Sequence, residues 1–248
     1  MLGLLFAVGV WAGAQNALAG GGSFVTLPAL ILSGLDARGA NIASSLALFP
    51  GQVTTGWVGR KMVSGAAGVP FRWLVALSLA GGALGAGLLL LTPSTFFARL
   101  VPWLVLFATA LFAWGSFVRR ADQAQPRLGP RGAAAVQFLI AIYGGYFGGG
   151  IGFLMLAALT AAGLAVRAAG ATKNVLASIM NAAAVAIFLF TPGIPWLRVG
   201  VVAVGAMAGG YLGALALRRV DERIIRVFVV VLGVVLTIGL FLRQRHGA

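Results

Sequence analysis

Cysteine is absent from this chain, histidine occurs once, at His246, and only four residues are acidic: Asp36, Asp122, Asp221 and Glu222. Without cysteine there are no disulfides, no thiolate catalysis and no Cys-ligated metals. Each acid lies in or beside a presumed loop, so an intramembrane metalloprotease, a haem or a zinc site has no ligands to use. Neither an enzyme nor a cofactor is expected. Charge is scarce altogether: 9% of the 248 residues carry one, against roughly a quarter in a soluble domain. Hydrophobic residues make up 60% and the mean hydropathy is +1.02. A buried core cannot absorb that excess, and lipid is the solvent it fits. The first apolar run starts at Leu2 without a basic region before it and simply continues, which reads as mature structure rather than a signal.

The charge that is present is basic, with a formal net charge of +14. On a soluble protein that would suggest a nucleic-acid partner. Here the cations stand in short clusters between apolar runs, at Arg60-Lys61, Arg119-Arg120, Arg218-Arg219 and Arg243/Arg245. Such clusters orient and anchor membrane spans at the cytoplasmic headgroups. The expected partners are therefore the lipid bilayer and a small substrate, with no nucleic acid; a homodimer stays open.

The chain is duplicated. A shift of 128 residues lays Gly20-Gly21-Gly22 on Gly148-Gly149-Gly150, Ala43-Ser44-Ser45 on Ala171-Thr172-Lys173, and Gly81-Gly82-Ala83-Leu84-Gly85 on Gly209-Gly210-Tyr211-Leu212-Gly213. This divides the sequence into a first transmembrane repeat over 1–118, a polar linker over 119–131 containing Pro126, Gly129 and Pro130, and a second repeat over 132–248. Each repeat reads as one overlong apolar run, Leu2–Leu35 or Ala133–Leu164, followed by three ordinary spans. About 20 helical residues cross a ~30 Å hydrocarbon core, so runs of more than thirty residues are too long for one straight span. Each holds a glycine triplet, and glycine is a poor helix former that permits tight reversal. The expected fold is an all-α polytopic membrane protein with two homologous repeats of about four full spans each, the first run of each broken at its triplet.

Charge arbitrates the direction of the break. If each overlong run crosses once, the cations split 10 to 8 between the two sides. If each is a hairpin, 13 of the 18 fall on the linker side, leaving Arg38, Arg99, Arg198, Arg243 and Arg245 opposite. The positive-inside rule favours the second arrangement. It makes the repeats inverted and puts both termini outside the cytoplasm.

Inverted repeats with broken helices place substrate near the midplane, where half-helix N-termini face anionic groups. Gly20, Gly21, Gly22 and Ser23 would open one half-helix, and Gly148, Gly149 and Gly150 the other. Close helix packing is the plainer explanation of the same glycines. The next span in each repeat carries Ser44, Ser45 and Gln52, or Thr172, Lys173, Asn174 and Asn181. The seven-residue steps Ser45 to Gln52 and Asn174 to Asn181 put each pair on one helix face. Helix–helix hydrogen bonding would also account for them, and snorkelling would account for Lys173. Asn16 is a weaker candidate, since helix capping would explain it. Cationic and neutral donors without an intramembrane carboxylate suit an anion. No metal site is expected.

At this point the residues resemble a known family. Asn16-Ala-Leu-Ala-Gly-Gly-Gly-Ser-Phe-Val-Thr-Leu-Pro28 with Ala43-Ser44-Ser45-Leu46 is similar to the first half of the sulfite exporter TauE/SafE family, also called the toluene-sulfonate uptake permease family. Tyr143-Gly-Gly-Tyr-Phe-Gly-Gly-Gly-Ile-Gly152 and Ala171-Thr-Lys-Asn174 with Asn181 look like its second half. The chain departs from the family in having Ser44-Ser45 where Thr-Ser or Thr-Asn is usual, and a shorter first glycine run. The resemblance implies a multi-pass permease of the bacterial inner membrane for sulfur-containing anions such as sulfite or organosulfonates. The leading expectation is a secondary transporter working by alternating access. An anion channel and a non-transporting scaffold subunit are the alternatives.

Overall fold

A computed structural model describes residues 1–18, 21–114, 128–216 and 222–246. Gly20, most of the linker 119–131, and Arg218 and Arg219 lie outside the described residues. Among the described residues the chain is helical throughout, with no strand. The first half contains α1 (Leu2–Leu18), α2 (Ser23–Leu32), α3 (Ala37–Gly59), α4 (Phe71–Leu91) and α5 (Ser94–Ala113). The second contains α6 (Pro130–Tyr146), α7 (Ile151–Ala161), α8 (Val166–Phe188), α9 (Trp196–Ala216) and α10 (Glu222–His246).

Local chemistry sets many of these bounds. Asp36 caps α3 by accepting the Gly39 amide at 3.3 Å. Pro130 opens α6 directly after Gly129, at the one helical position where its missing N–H costs nothing. The half-helices α2 and α7 end in the same turn. Leu35 N–H donates to Leu30 O at 3.3 Å and Leu164 N–H to Leu159 O at 3.1 Å. Gly34 and Gly163 supply the positive φ, +95° and +92°, that closes such a turn without a Cβ penalty.

Both overlong runs double back. Helical continuation would separate residues 12 and 22 by about 15 Å. Instead a Cβ added to Gly22 would stand 2.6 Å from the Ala12 carbonyl oxygen. In the second half Leu128 N–H, just before α6, donates to Ala161 O at the far end of α7 at 3.2 Å. Each run is therefore a long helix and a shorter return helix.

Glycines then bring full-length helices into backbone contact. On α1 and α9, a Cβ at Gly13 would overlap the Ala206 carbonyl, and one at Gly209 would overlap that of Val10. On α4 and α6, a Cβ at Gly85 would overlap the Ile142 carbonyl, and one at Gly81 would stand 2.6 Å from the Ala141 methyl. Lipid tails are as apolar as leucine, so close van der Waals approach has to hold such pairs together. Gly81 and Gly85 of the first block and Gly209 of the second are thus packing positions. Large apolar side chains such as Trp57, Trp73, Leu91, Trp103, Phe190 and Trp196 point outward, while Gln15, Thr26, Asn41, Ser44, Ser78, Gln137, Thr172 and Asn181 are buried. That is the inside-out polarity of a membrane bundle.

The loops gather at two ends. At one, Ala67 N–H donates to Ala162 O at 3.1 Å and Ser64 N–H to Thr172 Oγ1 at 3.1 Å. Arg60, Lys61, Arg72, Arg131 and Arg167 stand at or near this end. At the other, Arg38 donates to the carbonyls of Leu90 and Thr92 at 3.2 and 3.0 Å, and Ser94 Oγ donates to Asp36 at 2.7 Å.

Among the described residues three helices, α4, α5 and α8, are long and apolar enough to cross a membrane by length and composition. One expectation needs revision: the single shift of 128 does not hold for the helix that follows each break. The return helix has 10 residues in α2 and 11 in α7, so α3 and α8, both of 23 residues, align at 129. Ser44 thereby matches Lys173, Ser45 matches Asn174, and Gln52 matches Asn181.

Candidate functional site

The first break is closed by its own side chains. Gly21 takes φ +81°. Its carbonyl oxygen accepts Gln15 Nε2 at 3.1 Å and the Phe24 amide at 2.9 Å. The Gly22 amide, which opens α2, donates to Asn16 Oδ1 at 2.7 Å. Capping is thus the role the structure gives Asn16. One turn into α2, Thr26 Oγ1 shares a hydrogen bond of 2.5 Å with Ser44 Oγ, both fully buried. Ser45 Oγ donates back to Asn41 O at 2.9 Å within α3, and Asn41 Nδ2 reaches across to Tyr146 O at 3.1 Å. Ser23 sits at the first position of α2.

The second break is different. Gly148 and Gly150 take φ +78° and +76°, and the Gly149 carbonyl oxygen accepts the Tyr143 hydroxyl at 2.9 Å. α7 has no side-chain cap. The amides of Gly150, Ile151 and Gly152 have no acceptor among the described residues. Over this turn lies the half-buried side chain of Lys173, its Nζ 3.6 Å from where a Cβ on Gly152 would stand. No described residue accepts a hydrogen bond from that ammonium. Lys173 thus sits on α8 against the uncapped start of α7. Helix polarity adds partial positive charge at the same point.

The remaining candidates meet on the α3–α8 seam. Asn181 Nδ2 donates to Gln52 Oε1. Ser178 Oγ donates to Gln52 O at 2.7 Å and to Asn174 O at 2.8 Å, and Gly56 lies against the Ser178 hydroxyl. Gln52 and Asn181 occupy matching positions of α3 and α8, so matched residues bond each other across the contact. Thr172 is buried and spends its oxygen on the Ser64 amide, fastening the loop after α3.

The structure therefore brings Lys173 against Gly152 at the start of α7, pairs Gln52 with Asn181, and assigns the hydroxyls of Ser44, Ser45 and Thr172 to partners within the protein. Gln15 and Ser178 are missing from the sequence reading, and Tyr143 enters it only at the head of the second glycine block. That Gln15 and Tyr143 do the same work escapes it because their side chains share no obvious chemistry.

Comparison with known proteins places this arrangement. Residues 5–240 match the family described as sulfite exporter TauE/SafE. The chain is 28% identical over 240 residues to a "Probable membrane transporter protein" of Haemophilus influenzae, covering 96% of this chain and 93% of that one. It is 29% identical over 252 residues to "Probable membrane transporter protein ORF9" of a Sinorhizobium species, covering 99% and 94%. With "Probable membrane transporter protein YfcA" of Escherichia coli K12 it shares 26% over 250 residues, covering 100% and 91%. No solved structure matches the chain.

Proposed function

The chain belongs to the sulfite exporter TauE/SafE family of membrane transporters, and from that premise we propose that it is a secondary transporter for a small sulfur-containing oxyanion. The anion binds at the α6–α7 break, between the Lys173 ammonium and the amides of Gly150, Ile151 and Gly152. The unpartnered Lys173 beside those amides carries this reading. Charge-assisted hydrogen bonds from an ammonium are stronger than neutral ones, and a desolvated cation without a carboxylate needs an anionic partner. Asn174, Gln52 and Asn181 border the same helix and offer neutral amide groups.

Inverted repeats and alternating access belong to the same proposal. The pattern of helix contacts supports a two-fold relation of the halves, and the doubling back of both overlong runs supports its inversion. α1 packs on α9 as α6 packs on α4, α3 packs on α8, α5 packs on α10, and α3 packs on α9 as α8 packs on α4. Exchanging the halves maps this pattern onto itself. The gathering of Arg60, Lys61, Arg72, Arg131 and Arg167 toward one end supports a cytoplasmic linker in a bacterial inner membrane. Because the chain is free of cysteine, single cysteines report sidedness cleanly. In intact cells an impermeant thiol reagent is expected to label Ser33→Cys and Ala248→Cys and to spare Gln123→Cys. The reverse pattern would overturn the inverted arrangement.

The function is tested in proteoliposomes with labelled sulfite, sulfate, thiosulfate, sulfoacetate, taurine and toluene sulfonate. Saturable uptake of at least one, accelerated by the same anion on the opposite face, is the expected result. Flux without saturation or trans-acceleration would indicate a channel. Failure of all six either to move or to raise the melting temperature would leave a scaffold.

A further inference from the structure

The two breaks are held by one hydrogen bond made with different residues. Gln15 donates to the Gly21 carbonyl at 3.1 Å and Tyr143 to the Gly149 carbonyl at 2.9 Å. Donors and acceptors are each 128 positions apart, the register that holds up to the breaks. A carbonyl in a break has lost its helical partner, and when buried it must find another.

The bond also orients the next amide. In a planar trans peptide the C=O of one residue and the N–H of the following residue point in opposite directions. Fixing Gly149 O on the α6 side of the break therefore turns the Gly150 N–H away from Tyr143. The Tyr143 ring is itself fixed edge-on between Phe107 and Phe147, with centroids at 5.9 and 6.0 Å. Gln15 sets the matching Gly21–Gly22 peptide, but there Asn16 Oδ1 takes up the Gly22 N–H. The residue matching Asn16 is Gly144, which has no side chain to cap with. Met180 fills the space where a Cβ of residue 144 would stand.

We infer that Tyr143 is a positioning residue: by holding the Gly149–Gly150 peptide plane it keeps the Gly150 amide free for an anion, while Asn16 closes the first break from within. The ligand-bearing break is then the second alone. This rests on the reading that the anion binds at the α6–α7 break.

The test uses the full-length protein in detergent, with sulfite as probe. Two readouts are taken: hydrogen exchange over residues 147–154 and sulfite affinity by calorimetry. Tyr143→Phe keeps the ring and loses the donor. It is expected to speed exchange and weaken sulfite binding about fivefold. Tyr143→Gln, which installs the donor used in the first half, is expected to recover most of both. Asn16→Ala is expected to leave sulfite affinity within twofold of the parent. Parental exchange and affinity in Tyr143→Phe would overturn the inference, as would a Tyr143→Gln variant no better than Tyr143→Phe. If the parent itself fails to bind sulfite, sulfite as substrate falls. The exchange arm still decides whether Tyr143 holds the break.

Discussion

Lys173→Met is expected to weaken binding of the transported anion at least tenfold, about 1.4 kcal/mol, while the melting temperature of the unliganded protein stays at or above the parental value. Two features of the site produce this combination. The ammonium has no acceptor among the described residues, so removing it strands no buried oxygen. Methionine keeps an unbranched chain of similar length, so the contact with α7 near Gly152 is kept. What is lost is the one full positive charge beside the uncapped amides. Ser45→Ala should cost less, because that hydroxyl already bonds to Asn41 O. Calorimetry with the best-transported anion, paired with melting curves, decides the matter. Unchanged affinity in Lys173→Met would remove the lysine from the site and leave the anion to the backbone alone.

Gly209→Val is expected to have the largest effect on folding. Its added Cβ would overlap the carbonyl oxygen of Val10 on α1 and press on the backbone carbon behind it. Backbone cannot step aside as a flexible side-chain end can. Overpacking in a rigid interior costs about 1–3 kcal/mol, and here relief requires α1 and α9 to part along their whole contact. The purified variant should lose its monodisperse peak in size exclusion and melt well below the parent. Gly200→Val is the control on the same helix, since nothing lies within 4 Å of a Cβ there, and it should behave as the parent does. A Gly209→Val protein with parental melting would show that the α1–α9 contact can give way cheaply.

These two substitutions separate kinds of glycine that look alike in the sequence. Gly209 and Gly13 are constrained by a neighbouring helix. Gly21, Gly148 and Gly150 are constrained by positive φ. Gly144 matters for a side chain it does not have.

Composition alone determined the solvent of this protein, since 9% charge cannot dress a water-facing surface. Run length with the glycine triplets located the two breaks, because a helix of fixed rise overshoots a bilayer of fixed thickness. The tertiary structure decided what the periodicity could not carry. One extra residue in α7 moves the register of α8 by a position, so Lys173 answers to Ser44 rather than to Ser45. A residue type does not say whether its donor is already spent. Asn16, Ser44, Ser45 and Thr172 satisfy partners within the fold, and Lys173 does not, because hydrogen-bond satisfaction depends on which atoms the packing brings within about 3 Å.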